Sequence, residues 1–156
     1  MNERARRNGP GEDRMSDEAA SANLSVSAEM SEIDRLRDFL KDRLRGVRIS
    51  GDDFFRLDLA LFEILVNIVR YGYPDGAGVI RLDIRIEPDE IRLEIRDHGI
   101  PFDPQAVPPP AMDEILSGRK KGGLGIHLVR NLTDGMTYRR EGAENVLILR
   151  KAITGE

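Results

Sequence analysis

The sequence predicts an α+β two-layer sandwich, a mixed, mostly antiparallel sheet covered on one side by about three helices. Three observations lead there. Residues 80–86 and 91–95 alternate apolar and charged side chains on either side of Glu87-Pro88-Asp89-Glu90, the pattern of paired strands with one dry and one wet face. Three segments of helical period stand apart from these strands in the chain rather than alternating with them. A length of 156 residues suits one core, hiding roughly two-thirds of the surface that the unfolded chain exposes.

Residues 1–22 are polar, with Gly9-Pro10-Gly11 and four arginines (Arg4, Arg6, Arg7 and Arg14), and read as a mobile tail ahead of a domain at 23–152. LSVSA, from Leu24, alternates as a short strand. Ser31 stands three residues before Asp34, a variant of the capping box. Ile33, Leu36, Leu40 and Leu44 then recur at spacings of three and four, so an amphipathic helix runs to about Gly46. Residues 52–70 form a second helix, with Asp52 and Asp53 at its positive end and apolar residues on most sides. YGYPDGAG stops it. After the strand pair, residues 99–123 are loop-like, rich in proline and then glycine, with one helical turn at 112–116; a loop this long is usually functional or mobile rather than idle. LGIHLVRNLTDG makes a third helix, with Leu124, Leu128, Val129 and Leu132 on one side and Gly135 near its stop. MTYRRE and NVLILRK close the chain as a hairpin.

Composition narrows the function. The chain has 24 basic and 28 acidic residues and a net charge of −4, which argues against a dedicated nucleic-acid binder but not against a small anionic ligand. With no cysteine there are no disulfides or thiolate metal sites, and two histidines are little material for a histidine cage. No apolar run approaches the ~18 residues of a membrane span, and the charged start is no secretory signal. A soluble cytoplasmic domain is expected.

Three clusters carry chemistry. Glu63 and Asn67, four apart on an otherwise apolar helix, share a face with Cβ atoms ~5–6 Å apart. A carboxylate there can take a proton and an amide oxygen can ligate Mg²⁺, although a solvent-facing strip fits that helix alone equally well. DHGIPFDP, from Asp97, puts an acid at a strand end where it can accept from an exocyclic amino group; Gly99 beside it allows close backbone approach. KKGGLGIHLVR feeds closely spaced glycines into a helix, whose positive end cradles phosphate, with Arg119, Lys120 and Lys121 adjacent. It is neither a Walker motif nor a dinucleotide fingerprint. Each cluster alone is a common turn or helix start. In this order, they are the parts that one nucleotide site needs.

FEILVNIVRYGYP, DHGIPFDP and GGLGIHLVRNLTDGMTYRREGAENVLILRK together resemble the Bergerat-fold ATPases, the superfamily of gyrase, Hsp90 and sensor histidine kinases. Within it they look most like the bacterial anti-sigma-factor serine/threonine kinases, over residues 24–151. The resemblance implies that Glu63 is the general base, Asn67 the Mg²⁺ ligand and Asp97, with Gly99, the adenine reader. It implies an ATP lid over about 104–121, phosphate contacts at Gly123, Leu124 and Gly125, and Lys121 near the terminal phosphate. It further implies MgATP as phosphoryl donor, a sigma factor and a STAS-type anti-anti-sigma protein as partners, and a homodimer. Ile148 stands where many relatives carry a threonine near the base, Tyr71 where many have histidine, and Pro101 where many have glycine.

The alternative is a nucleotide-dependent binding module that switches partners without phosphoryl transfer. Glu63 and Asn67 favour the kinase. The ATP-binding half of a histidine kinase fits less well, because His98 and His127 lie inside the nucleotide motifs. Arg81, Arg85, Arg92 and Arg96 are expected either on the solvated face of the strands, with cross-strand partners such as Asp83 and Glu94, or equally on a partner surface. Tyr138, Arg139 and Arg140 read as structural or surface residues.

Overall fold

Alternation in the sequence becomes a five-stranded sheet in the computed structural model, which describes residues 21–117 and 124–153. The elements are β1 (Ser21–Ser27), α1 (Ile33–Arg43), α2 (Gly51–Asn67), β2 (Val79–Ile86), β3 (Glu90–Asp97), α3 (Met112–Ser117), α4 (Leu124–Leu132), β4 (Gly135–Glu141) and β5 (Glu144–Ala152). Strand order is β1-β2-β3-β5-β4. Every pairing is antiparallel, so the sheet contains no parallel component among the described residues. β1 begins at Ser21, two residues inside the predicted tail; residues 1–20 lie outside the described residues.

Burial follows the predicted period. Leu36 and Leu40 of α1, and Leu57, Leu61 and Leu65 of α2, are fully buried against Leu82, Ile84, Leu93 and Ile95 of the sheet. Two local readings change. Ser31 caps nothing, because it lies inside a 3₁₀ turn, Met30–Glu32, that precedes α1. Ser50 does cap a helix: its Oγ accepts from the Asp53 amide at 3.0 Å at the start of α2. On α4 the inward face is Ile126 and Val129, whereas Leu128 is 36% exposed. A residue two positions after Ile126 is turned by about 200° around a helix and so faces away.

The outer face of the sheet is charged, but not in the predicted pairs. Register places Arg81 opposite Arg96, Arg85 opposite Arg92, and Asp83 opposite Glu94. Like therefore faces like across the strands, and the long arginine side chains reach along their own strands instead: Arg81 to Asp83 at 3.0 Å, and Arg96 to Glu94. Arg96 also bridges to Glu141 and Glu144 across the sheet.

One ion cluster ties both layers together. Lys151 of β5 is buried on the helix side and meets Asp53 of α2 at 3.3 Å and Asp134 at 3.2 Å. Asp134 Oδ2 also accepts from the Ala152 amide at 2.7 Å. That amide, opposed by burial and helped by Lys151, draws the Asp134 carboxyl below its ordinary value. For Lys151, burial pulls downward, but its two carboxylate partners outweigh it and the ammonium is raised. A depressed carboxyl stabilises the fold above its unfolded value of about 3.9, and this is lost as pH falls through the lower folded value. A raised ammonium stabilises below its unfolded value of about 10.4, and this is lost as pH rises through the folded one. Lys151→Met is expected to cost about 1–3 kcal/mol at pH 7. Half-exposure of Asp134 favours the lower end of that range. Urea titrations of both chains should show the gap narrowing below the Asp134 transition; a gap that stays constant with pH would assign the loss to packing.

Candidate functional site

The last turns of α2 bring the first two predicted residues inward. Glu63 and Asn67 are both half-buried, one turn apart, beside α4. Among the described residues neither the Glu63 carboxylate nor the Asn67 amide has a hydrogen-bond or ion-pair partner. Half-buried polar groups without a protein partner are available to a ligand. Gly125, one residue into α4, backs directly onto Glu63: a Cβ at this position would collide with its carboxylate. The absent side chain at 125 therefore makes room for the carboxylate at 63.

Beyond Asn67 the helix widens into a π turn, Ile68–Gly72, a distortion common at functional sites. It delivers the Gly72 carbonyl to the Ile100 amide at 2.9 Å. Gly99 sits under this contact. A Cβ there would lie 2.6 Å from the Gly72 carbonyl oxygen and 2.8 Å from Asp97 Oδ1. Backbone on one side and a buried carboxylate on the other leave that position to glycine. Tyr73 braces the same loop: its hydroxyl donates to the Val79 carbonyl at 3.0 Å and accepts from the His98 amide at 2.8 Å. Burial, with Asp97 nearby, pushes the Tyr73 hydroxyl above its ordinary value, so it remains a donor.

Asp97 ends β3 and is 5% exposed. Its Oδ1 accepts from the Gly99 amide at 2.8 Å and from Asn145 Nδ2 at 3.0 Å. Among the described residues no donor reaches its Oδ2. Asp97 and Asn67 line one hollow of about 60 Å³, with Tyr71, Ile100, Phe102 and Tyr138 on its walls. The space is small, and its outer wall is open to solvent: Ile100 is 50% exposed, Tyr71 55% and Phe102 39%. The hollow is mostly apolar with an acid at its base, the make-up of a site for a flat heterocycle with one amino group. A larger trough of about 720 Å³ crosses the outer face of the sheet, among Arg81, Arg85, Arg92 and Arg96, and none of the predicted site residues lines it.

Asn67, Asp97 and Gly99 thus meet at the hollow, and Glu63 meets Gly125 one helical turn of α2 away. Lys121 and Gly123 lie outside the described residues, as do Arg119 and Lys120; Leu124 opens α4, and its side chain lies outside them too. Ile148 is not a neighbour of the hollow. Alternation on β5 puts Asn145, Leu147 and Leu149 on the helix side, and Leu147 and Asn145 line the space. Ile148, paired with Glu94, belongs to the opposite face. Three residues in the site escape a reading of local motifs. Asn145 faces Asp97 across the strands, and Tyr138 and Arg140 both bond to it, at 2.5 and 3.0 Å. The β3–β5 register reveals Asn145, and the β4–β5 hairpin, which sets Arg140 opposite Asn145, reveals the other two.

No cluster of three or more histidine, cysteine, aspartate or glutamate side chains among the described residues could hold a metal alone. A single amide oxygen at Asn67 suits Mg²⁺, which keeps several waters and takes its remaining ligands from phosphate oxygens.

Comparison with known proteins agrees with this fold. The family described as histidine kinase-like ATPase domain matches residues 26–151. The serine/threonine-protein kinase BtrW of Bordetella bronchiseptica is 31% identical over 143 residues, spanning 86% of this chain and 94% of its own. The serine-protein kinase RsbW of Staphylococcus aureus is 29% identical over 129 residues, 79% of this chain and 81% of its own. Two solved structures share the fold at 14% identity. The RsbU and RsbW domains of a Mycobacterium tuberculosis protein superpose with a TM-score of 0.59, over 84% of this chain and 32% of that one. The SiaB–SiaC complex of Pseudomonas aeruginosa gives 0.54, over 90% and 95%.

Proposed function

Because the chain belongs to the histidine kinase-like ATPase family and, within it, to the bacterial anti-sigma serine/threonine kinases, we propose that it phosphorylates a STAS-type anti-anti-sigma protein and sequesters a sigma factor. It is a protein serine/threonine kinase; its partners and the roles of its residues are our reading. The observation that carries this reading is one hollow lined by the Asn67 amide and the buried acid of Asp97, with the Glu63 carboxylate one helical turn away against Gly125 and, like the amide, without a partner among the described residues.

In this reading Asp97 accepts from the adenine amino group at the closed end. Asn67 would hold Mg²⁺, which would neutralise phosphate charge. Residues 104–121 form the lid, while Lys121 and the amides of Gly123, Leu124 and Gly125 meet the phosphates. Glu63 orients a serine or threonine hydroxyl of the partner and takes its proton. The hydroxyl oxygen bonds to the terminal phosphorus, the bond from that phosphorus to the bridging oxygen breaks, and ADP leaves. The transition state is loose, so alignment matters more than deprotonation. A homodimer in the cytoplasm completes the proposal, with no nucleic acid or membrane among its partners. Among the described residues no helix is long and apolar enough to cross a membrane.

The test is the chain mixed with γ-labelled ATP and a STAS-domain protein encoded beside it. Acid-stable label on a serine or threonine of that partner is the expected result. ATP-dependent complex formation without label would favour a partner-switching module instead. Acid-labile label retained on His98 or His127 would move the protein to the histidine kinases.

A further inference from the structure

We propose that Asn145 is the positioning residue that sets base selectivity: it pins one oxygen of the Asp97 carboxylate so that the other faces the hollow solely as an acceptor, selecting a 6-amino over a 6-oxo purine. This rests on reading the hollow as the base site.

Asn145 begins the buried run of β5, directly abreast of Asp97 at the end of β3, and is 6% exposed. Its Nδ2 donates to Asp97 Oδ1 at 3.0 Å, to the Ile100 carbonyl at 3.0 Å and to the Gly99 carbonyl at 3.3 Å. Its Oδ1 accepts from the Tyr138 hydroxyl at 2.5 Å and from Arg140 Nη1 at 3.0 Å. An asparagine amide has two N–H donors and two oxygen lone pairs, and here all of them are spent on protein. The amide therefore cannot turn over. Reversed, its oxygen would face a carboxylate and two carbonyls, and its NH₂ would face a guanidinium. Nor does it have a donor or acceptor left for a ligand, so any influence on the base passes through Asp97.

That influence is directional. With the Gly99 amide and Asn145 both converging on Oδ1, the carboxylate is held in one rotation and Oδ2 is the atom left unengaged. An exocyclic amino group can donate to it. A 6-oxo oxygen would meet it acceptor to acceptor, and a buried acceptor facing no donor discriminates strongly. Arg140 secures the assembly from β4 by also donating to the Gly99 carbonyl at 2.9 Å.

The experiment is calorimetric titration of ATP and inosine triphosphate, in Mg²⁺, into the full chain and the variants Asn145→Ala and Tyr138→Phe. Wild type should prefer ATP. In Asn145→Ala the preference should fall about tenfold, with inosine triphosphate affinity held within about threefold. Tyr138→Phe removes one hydroxyl from a half-buried ring and decides the matter should Asn145→Ala not fold; it should lose about threefold of the preference. Parallel weakening of both nucleotides, or full preference in Tyr138→Phe, would overturn the assignment while leaving the base site intact. A wild-type chain that binds neither nucleotide would overturn the base site itself, and this assignment with it.

Discussion

Glu63→Gln is expected to slow phosphoryl transfer to the partner by about 10²–10⁴-fold while leaving ATP affinity within a few-fold of wild type. Glutamine keeps the shape of the side chain, so its packing against Gly125 survives, but its amide cannot take the hydroxyl proton. Asp97 and Asn67, which the proposal assigns to the nucleotide, are not altered. The measurement is a single-turnover rate with labelled ATP alongside direct nucleotide titration. An unchanged rate would remove Glu63 from the chemistry; loss of ATP binding in step with the rate would make it a binding residue instead. Because the transition state of this transfer is loose, a result near the lower end of the range would favour orientation over proton removal as its main contribution.

Gly125→Ala should separate activity from stability. Alanine is favoured over glycine by roughly 0.5–1 kcal/mol in a helix interior and by less in the first turn, where position 125 lies, so the melting temperature should hold. The new methyl nevertheless enters the space of the Glu63 carboxylate. What it meets is the free end of a flexible side chain, which can swing aside without disturbing the fold. A base displaced by about 1 Å costs on the order of 10²-fold in rate. The expected variant is therefore stable, binds ATP and transfers phosphate about 10²-fold more slowly. Wild-type rates would mean that the carboxylate does not act from its position beside α4. Gly99 would behave differently under the same change, since its added carbon meets the Gly72 carbonyl, which moves only with the backbone.

Much of this site could be read from residue spacing. Glu63 and Asn67 are tied by one helical turn, and Asp97 and Gly99 by a two-residue turn. Contacts of this kind are local and the chain's own geometry enforces them. The alternation of 80–86 and 91–95 likewise marked the buried face of the sheet, where Leu82, Ile84, Leu93 and Ile95 are completely covered. Position along the helices was less secure. Leu128 is as apolar as its neighbours, and only packing against α2 selects which side of α4 turns inward.

What the sequence determined by itself was the set of local parts: the apolar stripe of α2, the acid at the end of β3 and the glycine in the first turn of α4, each fixed by interactions within a few residues. Tertiary structure alone decided how they meet. Asn145 lies 48 residues from Asp97 and becomes its neighbour through the β3–β5 register, and one step of slip would have presented Val146 instead. Glu63 and Gly125 are brought together by helix packing. A side chain's reach along the chain is a property of its own backbone; its reach across the chain depends on a register and a packing that the whole core must agree on.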